Sequence, residues 1–255
     1  MTDIIPEKLS SQNVEVGDGP VGCYLIHGFT GSTYELQGLA EFLANHGLRV
    51  NARLLAGHGS SPEECNLVSA TDWLEETEFH FTEFSLECEH TFAIGLSMGA
   101  GLALHLATLF PVAGVVAMST ALTLPSSFVP WYFPLVAPFY KSVPKQHIYR
   151  QSAEFDTRQF YGYDVWPLKG LKAMLKLNRY VRSELYRVTS PIMIMHSRAD
   201  ITAPFENAAQ VFNAVRSEDK SLVSYDNSSH ILPDDSEKEQ VWSAILDFIN
   251  THTST

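Results

Sequence analysis

Gly95-Leu96-Ser97-Met98-Gly99 is the stretch on which the reading of this 255-residue chain turns. Before it, Thr91-Phe92-Ala93-Ile94 reads as a short buried strand. After it, Leu102, Ala103, Leu106 and Leu109 recur at helical spacing, and Pro111 follows. Strand, one sharp turn and helix form the setting of a nucleophile elbow. Such a turn holds its serine in a strained conformation and tolerates no bulk two residues to either side. Glycines stand at both of those positions. G-x-S-x-G also occurs in ordinary Gly-rich turns, so the rest of the chain has to decide.

Working outward, the same alternation recurs. Val21 to Ile26 is an apolar run that reads as a buried strand, ending in His27-Gly28-Phe29-Thr30-Gly31-Ser32. Ser32 and Glu35 have the spacing of a capping box, and Leu36, Leu39, Ala40 and Leu43 form the stripe of the helix after it. Gly47 stands where a helix C′ residue belongs. Val50, Ala52 and Leu54 alternate as a strand, and Val14-Glu15-Val16 is a candidate edge strand. Trp73, Leu74, Thr77, Phe81 and Phe84 share one face of a further helix, and Gly114 to Met118 is another strand. Past residue 188, Pro191 to His196 reads as a buried strand, followed by a helix over 205–215, a strand over 221–225 and a last helix carrying Val241, Trp242, Ile245, Leu246 and Ile249.

Between these halves the rhythm breaks. Pro125, Pro130, Pro134, Pro138 and Pro144 rule out a long helix, and helical periodicity returns only from Pro167 to Tyr186. Residues 121–188 hold ten Lys and Arg against four acids, a balance of +6, while the remainder carries −18. They also hold 14 of the 29 aromatics, too many for so small an insertion to bury by itself, so some should pack on the rim above Ser97. Lys169, Lys172, Lys176 and Arg179 make one basic stripe, which meets either the acidic body or solvent. The pattern predicts an α/β fold: a mostly parallel central sheet with helices on both faces, residues 1–120 and 189–255 forming the core and 121–188 an inserted cap.

Composition limits the functions. At 45% hydrophobic and 18% charged the chain suits a globular protein. A net charge of −12 disfavours nucleic acid, whose phosphates need clustered cations. No apolar run approaches the roughly 18 residues of a membrane span, and the first ten residues lack the features of a signal peptide. Cys23, Cys65 and Cys88 are odd in number and widely spaced, which fits a reducing, cytoplasmic compartment. The histidines and acids show no metal-ligand spacing such as H-E-x-x-H, so neither a metal nor a cofactor is expected.

A serine hydroxyl needs an adjacent base, itself oriented by a carboxylate. Ligands of open α/β sheets bind beyond the carboxyl ends of the strands, where His27, Ser97, Asp200 and His230 all fall. In chain order the partners should be Ser97, then Asp200, then His230. His58 and His196 compete for the base, and Asp226 for the acid. The oxyanion donors should be the amides of Met98, directly after the serine, and Phe29. His27 is better suited to tying the loop to its neighbours than to catalysis.

Taken together, His27 to Ser32, Gly57-His58-Gly59 with Pro62-Glu63-Glu64, Asp72-Trp73, the elbow, Pro191 to Asp200 and Ser229-His230 resemble the α/β-hydrolase superfamily. The likeness is to its branch of bacterial carboxylesterases and monoacylglycerol lipases and spans residues 21–250. One departure is Ala100, where relatives often carry glycine. The resemblance implies an α/β-hydrolase fold with Ser97 as nucleophile, His230 as base and Asp200 as its orienter. It also implies Phe29 and Met98 as oxyanion donors, and 121–188 as a lid over an acyl pocket. The function it implies is a serine esterase acting on short-to-medium acyl esters, including monoacylglycerols. Two alternatives remain at this point: the same residues used on thioesters, amides or in acyl transfer, and a silent hydrolase-like binding protein. His230 to Asp235 spells H-x-x-x-x-D, a pattern some acyltransferases use. Oligomeric state is not written in the sequence.

Overall fold

Strands buried on both faces and helical stripes between them produce the predicted layers. The computed structural model describes residues 12–125, 140–145 and 162–253. Strands β1 (Val14–Val16), β2 (Val21–Ile26), β3 (Arg49–Ala52), β4 (His90–Leu96) and β5 (Gly114–Met118) come from the first half. A short pair, β6 (Ser142–Pro144) and β7 (Val165–Pro167), comes from the insertion, and β8 (Ile192–Ser197) and β9 (Lys220–Tyr225) follow. Seven of them form one sheet in the order β1-β3-β2-β4-β5-β8-β9, parallel throughout except for β1 against β3.

Phe92, Ile94 and Leu96 of β4 and Val116 and Met118 of β5 point to one face. There they meet α1 (Gln37–Asn45) and α7 (Lys238–Thr251), through Leu39, Leu43, Val241 and Ile245. Ala93, Val115 and Ala117 point to the other face, against α3 (Ala70–Ser85), α4 (Met98–Leu109), α5 (Leu168–Glu184) and α6 (Glu206–Ala214). The short α2 (Pro62–Cys65) lies in the loop after β3. Met98 to Ala107 of α4 are buried all round, as befits a helix sealed between the sheet and α5.

Two local expectations differ from the structure. The capping box at Ser32–Glu35 does not form: Ser32 caps a short 3-10 turn (Thr33–Leu36), and the Glu35 carboxylate turns back to accept the Gly28 N–H. A true capping box forms instead at Ser69 and Asp72, opening α3. Leu54 lies past the end of β3, its N–H bonded to Asn13 Oδ1.

The insertion is tied to the body by polar as well as apolar contacts. Pro167 offers α5 no side-chain cap, and Asn66 supplies one from outside: its Oδ1 accepts the Lys169 and Gly170 N–H groups while its Nδ2 donates to Lys141 O. Leu171, Met174, Leu177 and Val181 then bury α5 in the same core as α3 and α4. Lys169, Lys172, Lys176 and Arg179 are all exposed, so the basic stripe faces solvent rather than the acidic body. Of the aromatics singled out in the insertion, Phe128, Trp131, Tyr132, Phe133, Phe139, Tyr149, Phe155, Phe160 and Tyr161 lie outside the described residues. Among the described residues, no helix is long and apolar enough to cross a membrane.

Candidate active site

Sheet register brings the candidate residues together. Ile26 of β2 lies opposite Gly95 of β4, and Leu96 opposite Met118 of β5, so His27 and Ser97 leave the sheet at one edge. Ser97 adopts φ 58° and ψ −113°, a conformation that L residues rarely occupy. The neighbouring backbone enforces it. A Cβ on Gly95 would meet the carbonyl of Gly99, and one on Gly99 the carbonyl oxygens of Ile26 and His27. Ser97 N–H is in turn fixed on Met118 O at 2.9 Å.

Asp200 and His230 reach the same point from loops after β8 and β9. Ser97 Oγ lies 2.9 Å from His230 Nε2, and His230 Nδ1 lies 2.7 Å from Asp200 Oδ2. A buried carboxylate against Nδ1 requires a proton there, which leaves Nε2 as an acceptor for the serine hydroxyl. Asp200 Oδ1 accepts the N–H groups of Thr202 (2.8 Å) and Ala203 (2.9 Å). Burial alone would raise the Asp200 pKa, but the His230 charge and these hydrogen bonds outweigh it and hold the acid well below the usual carboxylate range. Burial likewise depresses His230, and the Asp200 carboxylate more than reverses it, so its pKa is raised.

The rivals are placed elsewhere. Asp226 is exposed and pairs with Arg198. His196 is buried, its Nε2 2.9 Å from Ala203 O and 3.4 Å from Asp200 Oδ2, so it supports the acid from behind. His58 approaches Ala56 O and packs 5.0 Å from the His27 ring. His27 accepts the Leu55 N–H at Nε2 and bonds Gly28 O through Nδ1. It ties two loops together, and burial pushes its pKa down to about 4, fixing it neutral. Asp235, the acid of H-x-x-x-x-D, accepts both the N–H and the hydroxyl of Ser229. It braces the His230 loop.

Met98 N–H opens α4, where the helix dipole favours negative charge. Phe29 follows Gly28 in the facing loop. Neither amide donates a hydrogen bond to any described residue, so both are available to an incoming oxyanion. The cavity at Ser97 is lined by Phe29, Leu96, Leu124, Trp166, Leu171, Met174 and Ile231, with Glu35, Thr202 and His230 as its other polar side chains. The space it leaves between these side chains is small, about 30 Å³.

Sequence reasoning missed Glu35 and Lys145. Burial pushes Glu35 up to about 7 and Lys145 down to about 7, each partly offset by the other's charge. In the sequence Glu35 carried only a capping-box spacing with Ser32. For Lys145, amid prolines, there was no signal.

Comparison with known proteins identifies the family. The family model described as serine aminopeptidase, S33, matches residues 22–237. The thermostable monoacylglycerol lipase of Bacillus sp. (strain H-257) is 26% identical, covering 99% of both chains. A carboxylesterase of Bacillus subtilis (strain 168) is 28% identical over 91% of this chain and 93% of its own. Among solved structures, one from work on the metagenome-derived lipolytic enzymes LipS and LipT superposes with a TM-score of 0.87 at 28% identity, covering 96% of this chain and 99% of that one. The Paleococcus ferrophilus monoacylglycerol lipase, at 21% identity over 94% and 98% of the two chains, shares the fold with a TM-score of 0.79.

Proposed function

Because the chain belongs to the serine aminopeptidase S33 family of hydrolases, on the α/β-hydrolase fold, we propose that Ser97, His230 and Asp200 are its catalytic triad. The protein is a carboxylic ester hydrolase of the serine type. The observation that carries the assignment of residues is the 2.9 Å approach of His230 Nε2 to a serine held at φ 58°.

In acylation, Ser97 Oγ bonds the ester carbonyl carbon as its proton passes to His230 Nε2, and Asp200 stabilises the resulting imidazolium. The carbonyl oxygen becomes an oxyanion, received by the Phe29 and Met98 amides. Collapse breaks the carbon–alkoxy bond, and His230 gives its proton to the departing alcohol. Water then repeats the sequence on the acyl-enzyme and releases the acid.

The apolar cavity favours small-molecule esters of short-to-medium acyl chains, monoacylglycerols among them. Residues 121–188 serve as a cap on the core formed by 1–120 and 189–255. Cys23, Cys65 and Cys88 are free thiols, which supports a cytoplasmic location. No step calls on a metal or cofactor, and the −12 net charge speaks against a nucleic-acid partner. The test is turnover of matched esters, thioesters and anilides of one acyl chain, together with monoacylglycerols. Esters and monoacylglycerols should be hydrolysed fastest; faster cleavage of the anilide would reassign the site to amide hydrolysis.

A further inference from the structure

We propose that the β6–β7 hairpin, acting through Lys145, is a positioning device for the Phe29 amide, so that part of the oxyanion site is held from the insertion rather than from the core. The inference rests on the reading of Phe29 as an oxyanion donor. Three contacts from the hairpin region converge on Phe29 and Thr30. Lys145 Nζ donates to Thr30 Oγ1 at 2.6 Å, Tyr163 N–H donates to Thr30 O at 3.0 Å, and the Trp166 ring stacks on Phe29 at 6.1 Å with 9° between planes. The Lys145 ammonium also sits 4.5 Å over the Trp166 ring, which joins two of these contacts into one unit.

The loop needs such support. Thr30 has φ 62°, uncommon for a β-branched residue. The turn around it is closed by Gly31 N–H to Gly28 O, at 3.2 Å. Thr30 Oγ1 passes the restraint on by donating to Phe29 O at 2.6 Å. From the body side, Glu35 Oε2 accepts Gly28 N–H at 3.2 Å. The residues before and after Phe29 are therefore both clamped, one by the core and one by the hairpin, and the Phe29 N–H between them is left unbonded among the described residues. A donor fixed in advance needs no reorganisation when charge develops, which is where oxyanion stabilisation gets its strength. An ammonium is costly to bury. Tethering a strained loop at the nucleophile gives the half-buried Lys145 a purpose that mere adhesion of the hairpin does not require.

The experiment uses the full chain with Lys145→Met, Lys145→Arg, Thr30→Val and the double variant Lys145→Met/Thr30→Val. The readouts are kcat and KM on a medium-chain ester, melting temperature, and inhibition by a trifluoromethyl ketone and a methyl ketone of the same chain length. The first ketone adds Ser97 and places an oxyanion in the site; the second reports ground-state binding. K145M should lower kcat about tenfold and weaken the trifluoromethyl ketone by a similar factor, leaving KM and the methyl ketone nearly unchanged. K145R should restore most of the loss, and the double variant should be no worse than the poorer single one. Unchanged kcat, a loss confined to KM or to melting temperature, or additive losses would overturn the proposal. Should K145M fold poorly, T30V alone carries the test, with the same signature expected. If the unaltered protein binds both ketones equally, the oxyanion reading itself fails, and the positioning role with it.

Discussion

Asp200 holds His230 in one tautomer: its Oδ2 is 2.7 Å from Nδ1, while its Oδ1 is occupied by two backbone amides. The carboxylate cannot rotate away without abandoning three hydrogen bonds, so its charge stays beside the imidazole. With His230 as the proposed base, activity requires it neutral, and the protonated form is the one Asp200 favours. The acidic limb of kcat/KM should therefore lie above the ordinary imidazole value of about 6.5. Asp200→Asn should move that limb to lower pH and reduce the rate by about 10²-fold or more. A limb at or below the ordinary value in the unaltered protein would mean that burial, not Asp200, governs the imidazole.

Glycines along the elbow should respond with opposite signs. Gly99→Ala drives a Cβ into the Ile26 and His27 carbonyls, which cannot withdraw without breaking the β2 edge, and should cost about 1–3 kcal/mol. Gly101→Ala, one turn into α4, meets only Val181 Cγ2 at 4.0 Å and should stabilise by about 0.5–1 kcal/mol through helix propensity. Denaturant melts of the two variants check both signs.

Asp235 should matter to activity without being part of the chemistry. Asp235→Ala strips the acceptor from the Ser229 N–H and hydroxyl, one residue before His230. Turnover should fall about tenfold through a misplaced imidazole, while Ser97 still reacts slowly with a fluorophosphonate. Complete loss of labelling in a folded variant would assign Asp235 a more direct role.

On the proposed function, acyl preference should depend on α5. Met174 lines it from the insertion side, with Leu171 and Trp166. Each acyl methylene buried there gains up to about 0.8 kcal/mol, so kcat/KM should rise from acetyl to medium chains and fall again once the space runs out. Met174→Trp should shift the optimum to shorter chains. A profile that declines steadily from acetyl onward would remove the apolar pocket from the account, though not the serine.

Strand–helix alternation in the sequence was enough to place every strand of the main sheet and the residues at its carboxyl edge. Ser97 and His230 were legible because their neighbours carry the signal: glycines that the elbow requires, and a chain order set by the fold. The hairpin was not legible. Its strands are three residues each, they are set among prolines, and they pair across a gap of twenty residues. Lys145 and Glu35 were invisible for a related reason: each acts on the Phe29 loop from a position that no periodicity marks. Ser32 and Glu35 showed how a local motif loses to tertiary contact, since the carboxylate meant for a capping box serves Gly28 instead.

Ser97 as nucleophile is the claim on which the rest stands, and a fluorophosphonate probe tests it most directly. Intact mass and peptide mapping of the unaltered protein should show a single adduct, on the peptide containing Ser97, formed in step with loss of esterase activity. Ser97→Ala should fold, take up no probe and lose at least about three orders of magnitude in turnover. An adduct on another serine, or near-normal turnover by the alanine variant, would contradict the account.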